Sequence, residues 1–367
     1  HTTRWGGSWL PTKYEDLQAM VRMVPALSSR SPNVVPPDPE LREELIAELK
    51  EYGSDSPPIT SDPPEQIPYR RLILPFFNSK SVEKFREGTQ RLCHDLIDKF
   101  IATGSADAAV DYAQQIPPRV IAAMLGIDPN RSDEFTEWTR GILELGQTQP
   151  ELRRRYRRVI RDFFTELVAE RRKNPGQDDM VSKLIGSEIE GEPLSDHTVV
   201  GMCNLLLVAG IDTTWSSIGA ALWHFAGQAE DRRQLASDPD LFPTAIEEML
   251  RFYSPVTMAR KVTKPVTMGN ANFVPGDKVL LNFPAANRDP DVFENPEDVV
   301  LDRERNRHIA FGVGIHRCAG SNLARMEMDV SLRTWFERIP EFELSVPEAV
   351  TWAGGQVRGP RSIPVSF

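Results

Sequence analysis

One cysteine, Cys318, stands in the stretch Phe311-Gly312-Val313-Gly314-Ile315-His316-Arg317-Cys318-Ala319-Gly320, directly before an amphipathic run that reads as a helix. Backbone N–H groups at a helix N-terminus favour negative sulfur, so this placement predicts a thiol of lowered pKa, ready to ligate a metal. Gly312, Gly314 and Gly320 remove side chains where a backbone has to approach a large flat ligand. Taken alone, the same residues also suit a glycine-rich turn closed by a structural cysteine.

A second constellation interrupts the apolar run from Gly201 to Ala220 with Ala209-Gly210-Ile211-Asp212-Thr213-Thr214. A threonine hydroxyl can turn onto a preceding carbonyl and a glycine removes steric cover, so a helix here can open to water or a ligand. A carboxylate and a hydroxyl that are adjacent but turned to different surroundings are a means of delivering protons. A solvated helix turn is the alternative, which the preceding Leu205-Leu206-Leu207-Val208 opposes. Glu248 and Arg251, three residues apart, share a helix face and can pair. By itself that spacing also describes an ordinary surface ion pair.

At every fixed position the stretch 311–320 matches Phe-Gly-x-Gly-x-His-x-Cys-x-Gly, and the chain resembles the cytochrome P450 family over essentially its whole length. The resemblance implies the P450 fold, mainly α with small β-sheets, with heme b as cofactor and Cys318 as the thiolate on its iron. It makes Phe311, Gly312, Gly314, Gly320, Ala209 and Gly210 heme contacts. Gln66, Arg70, Arg260 and His316 are its candidates to hold the heme propionates, with Gln66 standing where many family members carry His. His308 is either a further donor behind these or a surface histidine. Thr213 and Asp212 fall where the family hydrogen-bonds oxygen and feeds it protons. Arg303 falls where a third member joins Glu248 and Arg251 in a structural triad. Leu205, Val208, Ala209, Val256, Thr257 and Met258, with the loop near Val34 to Pro37, are the implied substrate pocket.

The implied activity is that of a heme-thiolate monooxygenase, inserting one oxygen atom of O2 into a small or medium hydrophobic substrate by hydroxylation or oxidative dealkylation. Electrons must come from outside the chain, which has no Gly-x-Gly-x-x-Gly fingerprint and no four-cysteine iron–sulfur spacing. A ferredoxin with its reductase, or a reductase domain fused downstream, is therefore the expected partner, docking near Arg317 and Arg325. Two alternatives stand beside this reading. One is a heme-thiolate peroxygenase or peroxidase driven by hydrogen peroxide, which has no need of an acid–alcohol pair; the other is a heme protein that only senses ligands.

The elements that must position these residues follow from periodicity. Three- and four-residue apolar spacing predicts helices over 39–52, 81–103, 150–173, 195–226, 241–252 and 318–337. Strand patterns cover 262–268, 272–274, 278–282 and 356–367, with a turn at Val274-Pro275-Gly276-Asp277-Lys278. Pro/Ser/Asp-rich stretches at 54–64 and 286–298 read as loops. The 43 basic and 53 acidic side chains leave a net charge of −10, which supports neither nucleic-acid binding nor a polybasic membrane anchor. No apolar run reaches the ~18 residues of a membrane span, so a soluble, cytoplasmic monomer is expected. Three cysteines are too few for a disulfide framework; Cys93 and Cys203 read as core residues, and His94, His197 and His224 as structural. Residues 1–367 read as one heme domain whose family pattern expects a segment before His1.

Overall fold

The computed structural model describes residues 1–36, 39–52 and 55–367, apart from the side chains of Trp5, Glu48, Leu49 and Tyr52. Its helices are α1 (Tyr14–Met20), α2 (Pro39–Tyr52), α3 (Gln66–Ile73), α4 (Ser79–Glu83), α5 (Arg86–Asp98), α6 (Ile116–Leu125) and α7 (Ser132–Leu143). They continue with α8 (Pro150–Lys173), α9 (Met180–Ile185), α10 (Asp196–Gly227), α11 (Ala229–Ser237), α12 (Phe242–Tyr253), α13 (Phe283–Ala286) and α14 (Ser321–Arg338). The axis of this array is α10. Ser195 caps it by accepting from the Thr198 N–H at 3.2 Å, Asp196 meets the positive end of its dipole, and α6, α7, α8, α12 and α14 pack around it. Among the described residues it is the helix with the length and apolarity to cross a membrane, contrary to the expectation of no such run. However, 72% of that apolar window is buried inside the protein, so α10 is a core helix.

α8 buries Tyr156, Ile160, Phe164 and Val168 at four-residue spacing, starts on Pro150 and ends on Arg171-Arg172-Lys173, which suits the negative end of its dipole. The single helix expected over 81–103 is broken. Phe85 donates to the Val82 carbonyl and its own carbonyl receives both Thr89 N–H and Thr89 Oγ1, which separates α4 from α5. α14 begins at Ser321, three residues later than predicted. Prolines hid other helices: α6 opens on Ile116-Pro117-Pro118 and α3 carries Pro68 in its first turn.

The sheets are small, as expected: β3 (Glu188–Ile189) pairs with β4 (Glu192–Pro193), β2 (Ser105–Asp107) and β9 (Glu343–Leu344) flank β12 (Pro364–Ser366), and β10 (Thr351–Ala353) pairs with β11 (Gly359–Ser362). β1 (Leu27–Ser28), β5 (Met258–Val262) and β8 (Lys278–Leu281) form one antiparallel sheet, with Met258 opposite Leu281 and Leu27 opposite Val262. Of the strand predicted over 262–268, Val262 ends β5, residues 263–265 lie outside any strand, with Pro265 having no N–H to donate, and Val266–Met268 forms β6, paired with β7 (Ala271–Phe273). The predicted turn at 274–278 joins β7 to β8, with Gly276 at φ +102°. The last predicted strand is two: β11 (Gly359–Ser362) and β12 (Pro364–Ser366) flank Ile363, whose N–H goes to Asp107 Oδ1. One apolar core surrounds α10; a smaller one lies under the β1–β5–β8 sheet around Leu17, Phe273, Phe283 and Phe293. Cys93 and Cys203 are both fully buried in the larger core, where burial pushes both thiols up, Cys93 to about 12.

Candidate functional site

The loop 311–320 closes on itself through the Cys318 N–H, which donates to the Phe311 carbonyl at 2.8 Å. Gly312 and Gly314 adopt φ +67° and +75°, conformations that side chains resist. Gly320 departs from expectation: its φ is −81°, and an added Cβ meets nothing closer than 3.8 Å, so the protein's own packing does not demand glycine there. Phe311, Gly312, Cys318 and Gly320 form one wall of a cavity of about 420 Å³, and Ala209, Gly210 and Thr213 of α10 form another. Gly314 lies outside that lining, against Val21.

Cys318 is deep within the fold, yet its side chain is exposed to the cavity. The helix-terminus argument predicts a lowered thiol pKa; the protein alone pushes it up. Burial outweighs the Gly320 N–H and the charges of Arg70, Arg317 and Arg325, all of which favour thiolate.

Across the cavity, Thr213 Oγ1 donates to the Ala209 carbonyl at 3.0 Å, while α10 stays continuously helical rather than opening. Glycine at 210 keeps the helix close to α6, since a Cβ there would come within 3.2 Å of Ile121. Asp212 turns the opposite way and is fully buried. Its Oδ1 accepts from Arg361 Nη2 at 2.8 Å and from Ser216 Oγ at 3.4 Å, and its Oδ2 has no partner. Arg361, from β11, also donates to Glu144 Oε2 at 2.8 Å, and Glu144 is gripped in turn by Arg140. Burial raises the Asp212 carboxyl to about 6, with Arg361 opposing the rise. Sequence reasoning missed Arg361 and Glu144.

The predicted propionate donors separate into two groups. Gln66 is buried but turned away from the cavity, its Nε2 donating to the Ile315 carbonyl at 2.9 Å, so it ties α3 to the cysteine loop instead. Arg70 reaches the Arg317 carbonyl and lines the cavity. Arg260 is 5% exposed and, among the described residues, donates only to the carbonyl of neighbouring Ala259. Burial pushes it down to about 10, against the pull of Asp62. His316 lines the cavity with its Nε2 buried and without a partner, and burial and the charges of Arg260 and Arg70 push it down to about 4.

Behind the loop, Glu248 is fully buried and accepts both forks of Arg251 at 2.8 Å, Arg303 Nε at 2.9 Å, Asn306 Nδ2 at 3.1 Å and the Val300 N–H at 2.9 Å. These bonds hold its carboxyl below the usual range despite burial. Arg325 is not available for docking as expected: Glu247 holds it through two bonds, at 2.6 and 2.7 Å, and its guanidinium stacks 4.5 Å from the Phe311 ring. His308 is neither of the two things predicted, since its Nε2 pairs with that same Glu247 at 2.9 Å and its side chain is buried. Arg317 remains exposed.

Of the predicted pocket residues, Leu205, Val208, Ala209, Val256 and Met258 line the cavity. Thr257 does not; its N–H is used by the Gln356 carbonyl. In the loop near Val34, the lining comes from Pro32 and Asn33, and Pro37 lies outside the described residues. His197, read from sequence as structural, faces the cavity with Asn204 and three arginines of α8.

The sequence profile described as Cytochrome P450 matches residues 237–351. Over 98% of this chain and 89% of the relative, the sequence is 32% identical to mycinamicin IV hydroxylase/epoxidase of Micromonospora griseorubida. The chain belongs to the cytochrome P450 family. A steroid C26-monooxygenase of Mycolicibacterium smegmatis is 32% identical over 90% of this chain and 85% of its own. The solved structure of cytochrome P450 PksS, from the bacillaene polyketide synthase of Bacillus subtilis, superposes with a TM-score of 0.86 at 30% identity, covering 98% of this chain and 90% of that one. This P450 is accordingly an oxidoreductase of the monooxygenase class, with heme b as the family's cofactor. Its own residues fit that group. Arg260 and His316 are buried donors facing one cavity without a carboxylate bonded to either, a combination that an anion such as a propionate satisfies.

Proposed function

We propose that this P450 uses O2 and electrons from a separate redox protein to oxygenate an organic substrate bound between Cys318 and Thr213. The observation that carries the proposal is the cavity-facing Cys318 opposite Ala209, Gly210 and Thr213, with buried Arg260, which bonds to no carboxylate, and the unpartnered Nε2 of His316 beside it. Cys318 is the iron ligand in this reading, Arg70, Arg260 and His316 hold the propionates, and Glu248 with Arg251 and Arg303 fixes the segment behind the loop. Heme with a thiolate ligand supplies the oxygen-activating chemistry.

What the chain adds is proton control and shape. Thr213 keeps its hydroxyl on the Ala209 carbonyl, from which a rotation presents it to the cavity. Asp212, with a carboxyl near 6, can give up and recover a proton around neutrality, and Arg361 determines how readily it does so. Leu205, Val208, Val256 and Met258 exclude water and receive the apolar part of the substrate. The relatives act on dissimilar molecules by their names, a mycinamicin and a steroid, so neither defines the substrate here. A ferredoxin-type partner fits the lack of any reductase motif, and exposed Arg317 offers it a cationic contact on the cysteine side.

Thr213→Ala tests the reading against a peroxide-driven enzyme. The variant is expected to consume NAD(P)H while releasing mostly hydrogen peroxide, with product per NAD(P)H falling by about tenfold. Unchanged coupling would contradict the proton-delivery role and favour direct use of peroxide.

A further inference from the structure

Behind the cysteine loop, three segments of chain converge on the ring of Phe311. Arg325, at the end of the first turn of α14, places its guanidinium 4.5 Å from the ring centroid, and the His308 ring lies 6.1 Å from it. Glu247 of α12 joins the two: its Oε1 accepts from Arg325 Nε at 2.6 Å, and its Oε2 accepts from Arg325 Nη2 at 2.7 Å and from His308 Nε2 at 2.9 Å. The other nitrogen of His308, Nδ1, accepts the Ala310 N–H at 3.2 Å, which leaves the ring proton on Nε2, facing the carboxylate. Burial by itself would raise the Glu247 carboxyl; the bonds from Arg325 and His308 outweigh it and hold the group at about 2, so the pair is ionised.

The stacked ring belongs to the residue whose carbonyl accepts the Cys318 N–H at 2.8 Å, and the charge of Arg325 reaches the Cys318 sulfur, where it favours thiolate. Arg70 and Arg317 act on the same sulfur, but both line the cavity and Arg317 is exposed. Of these three cations, Arg325 is the one that lies outside the cavity lining and is gripped on two edges by a carboxylate. An arginine stacked on a phenylalanine is not special in itself. About 12 Å further along α14, Arg333 lies 4.5 Å over Phe242 and pairs with Asp329 at 2.7 Å, the same combination set away from the cysteine.

We propose that Arg325, positioned by Glu247 against Phe311, is a fixed cation that raises the reduction potential of heme bound to Cys318 and so favours electron uptake. The proposal rests on the monooxygenase reading of the site and adds to it a positioning residue, Glu247, and a tuning charge, Arg325, neither of which touches substrate. A positive charge held near the cysteine stabilises the form that carries one more electron, and it acts most strongly where packed side chains rather than water lie between. The electron comes from the redox protein, which is oxidised as the heme is reduced; no bond forms or breaks, and Arg325 keeps its proton throughout. Lysine at this place would keep the charge without gripping both oxygens of Glu247 or stacking flat on the ring.

The test is a redox titration of the heme-loaded protein without substrate, followed by its absorption spectrum, for the parent and for Arg325→Gln, Arg325→Met, Arg325→Lys and Arg333→Gln. Each neutral replacement at 325 is expected to lower the equilibrium constant for one-electron reduction by roughly threefold or more, ~28 mV. Arg325→Lys should retain more than half of the difference between the parent and the neutral variants. Arg333→Gln removes the same kind of stack from the far part of α14 and should lower the constant by less than about threefold. A smaller drop in the neutral variants, a lysine variant that retains less than half, or a drop in Arg333→Gln as large as theirs overturns the proposal. Methionine keeps an apolar stem over Phe311, so should one neutral variant not load heme, the other decides. The carbon monoxide spectrum of the parent separates the two failures: with a thiolate band present, an unmoved potential removes this inference alone, whereas a parent without that band removes the reading beneath it.

Discussion

Arg251 offers a quantitative test of how the region behind the cysteine loop is held. Its guanidinium is fully buried and uses its fork on both oxygens of Glu248, with further bonds to the carbonyls of Asn287, Pro296 and Asp298 at 2.7–2.9 Å. Arg251→Leu takes the guanidinium from all three carbonyls, leaving Asp298 with a long bond from Arg303, and leaves Glu248 with Arg303, Asn306 and the Val300 N–H. Breaking a buried pair of this kind costs ~3–5 kcal/mol. For 367 residues the unfolding entropy is about 0.8 kcal/mol/K, so the melting temperature should fall by about 4–6 °C. Arg303→Gln leaves the Arg251 fork intact and should cost ~1–2 kcal/mol, or about 1–3 °C. Arg251→Lys keeps the charge without the fork and should fall between them. Thermal unfolding followed by circular dichroism, with heme content measured on the same samples, gives the order. A melting point for Arg251→Leu within about 1 °C of the parent, or equal to that of Arg303→Gln, would refute the reasoning.

Two further outcomes follow from buried acids. Asp212 has a folded pKa of about 6, above that of an unfolded aspartate, so it subtracts stability increasingly as pH rises from about 4 through 6. Arg361→Gln removes the charge that restrains this rise and also strips a cation from Glu144. The variant's stability deficit should therefore grow between pH 4 and pH 7, and the acid limb of its turnover profile should move to higher pH, with Arg361→Lys restoring most of both. A deficit independent of pH would contradict the assignment. Glu327 on α14 is fully buried, its Oε2 has no partner, and burial holds its carboxyl well above the usual range. Glu327→Gln should raise the melting temperature at pH 7, with the gain shrinking as pH falls through about 4 and vanishing near pH ~3, where the parent carboxyl is protonated in both states. A loss of stability at pH 7 would show that the carboxylate has a partner after all.

The residues legible in sequence are those whose chemistry is local. The cysteine loop is ten consecutive residues, and Glu248 and Arg251 are one helical turn apart, so spacing alone brings each set together. Arg303 entered only through the family pattern. Arg361, 149 residues from Asp212, had no local signal, because a β-strand at the chain's end approaches α10 only in three dimensions. The roof of the cavity is similar: Ile121, Ile142 and Leu143 come from α6 and α7, and the arginine row of α8 shows its four-residue period in sequence but not the direction it faces. Helix α10 and the long α8 were readable from their patterns. The break at Phe85 and the start of α6 on two prolines were not, because specific hydrogen bonds and packing override propensity there. At Arg325 a docking cation expected from sequence is taken up by Glu247, which also holds His308.

The account's central claim is that Cys318 holds heme iron as a thiolate, and the most direct measurement is the carbon monoxide difference spectrum of the dithionite-reduced protein beside its Cys318→Ser variant. The parent should give the strongly red-shifted Soret band of thiolate-ligated heme, and the variant should lose it while keeping the helical content of the fold. The same band in both proteins, or no heme band in the parent, would contradict the claim.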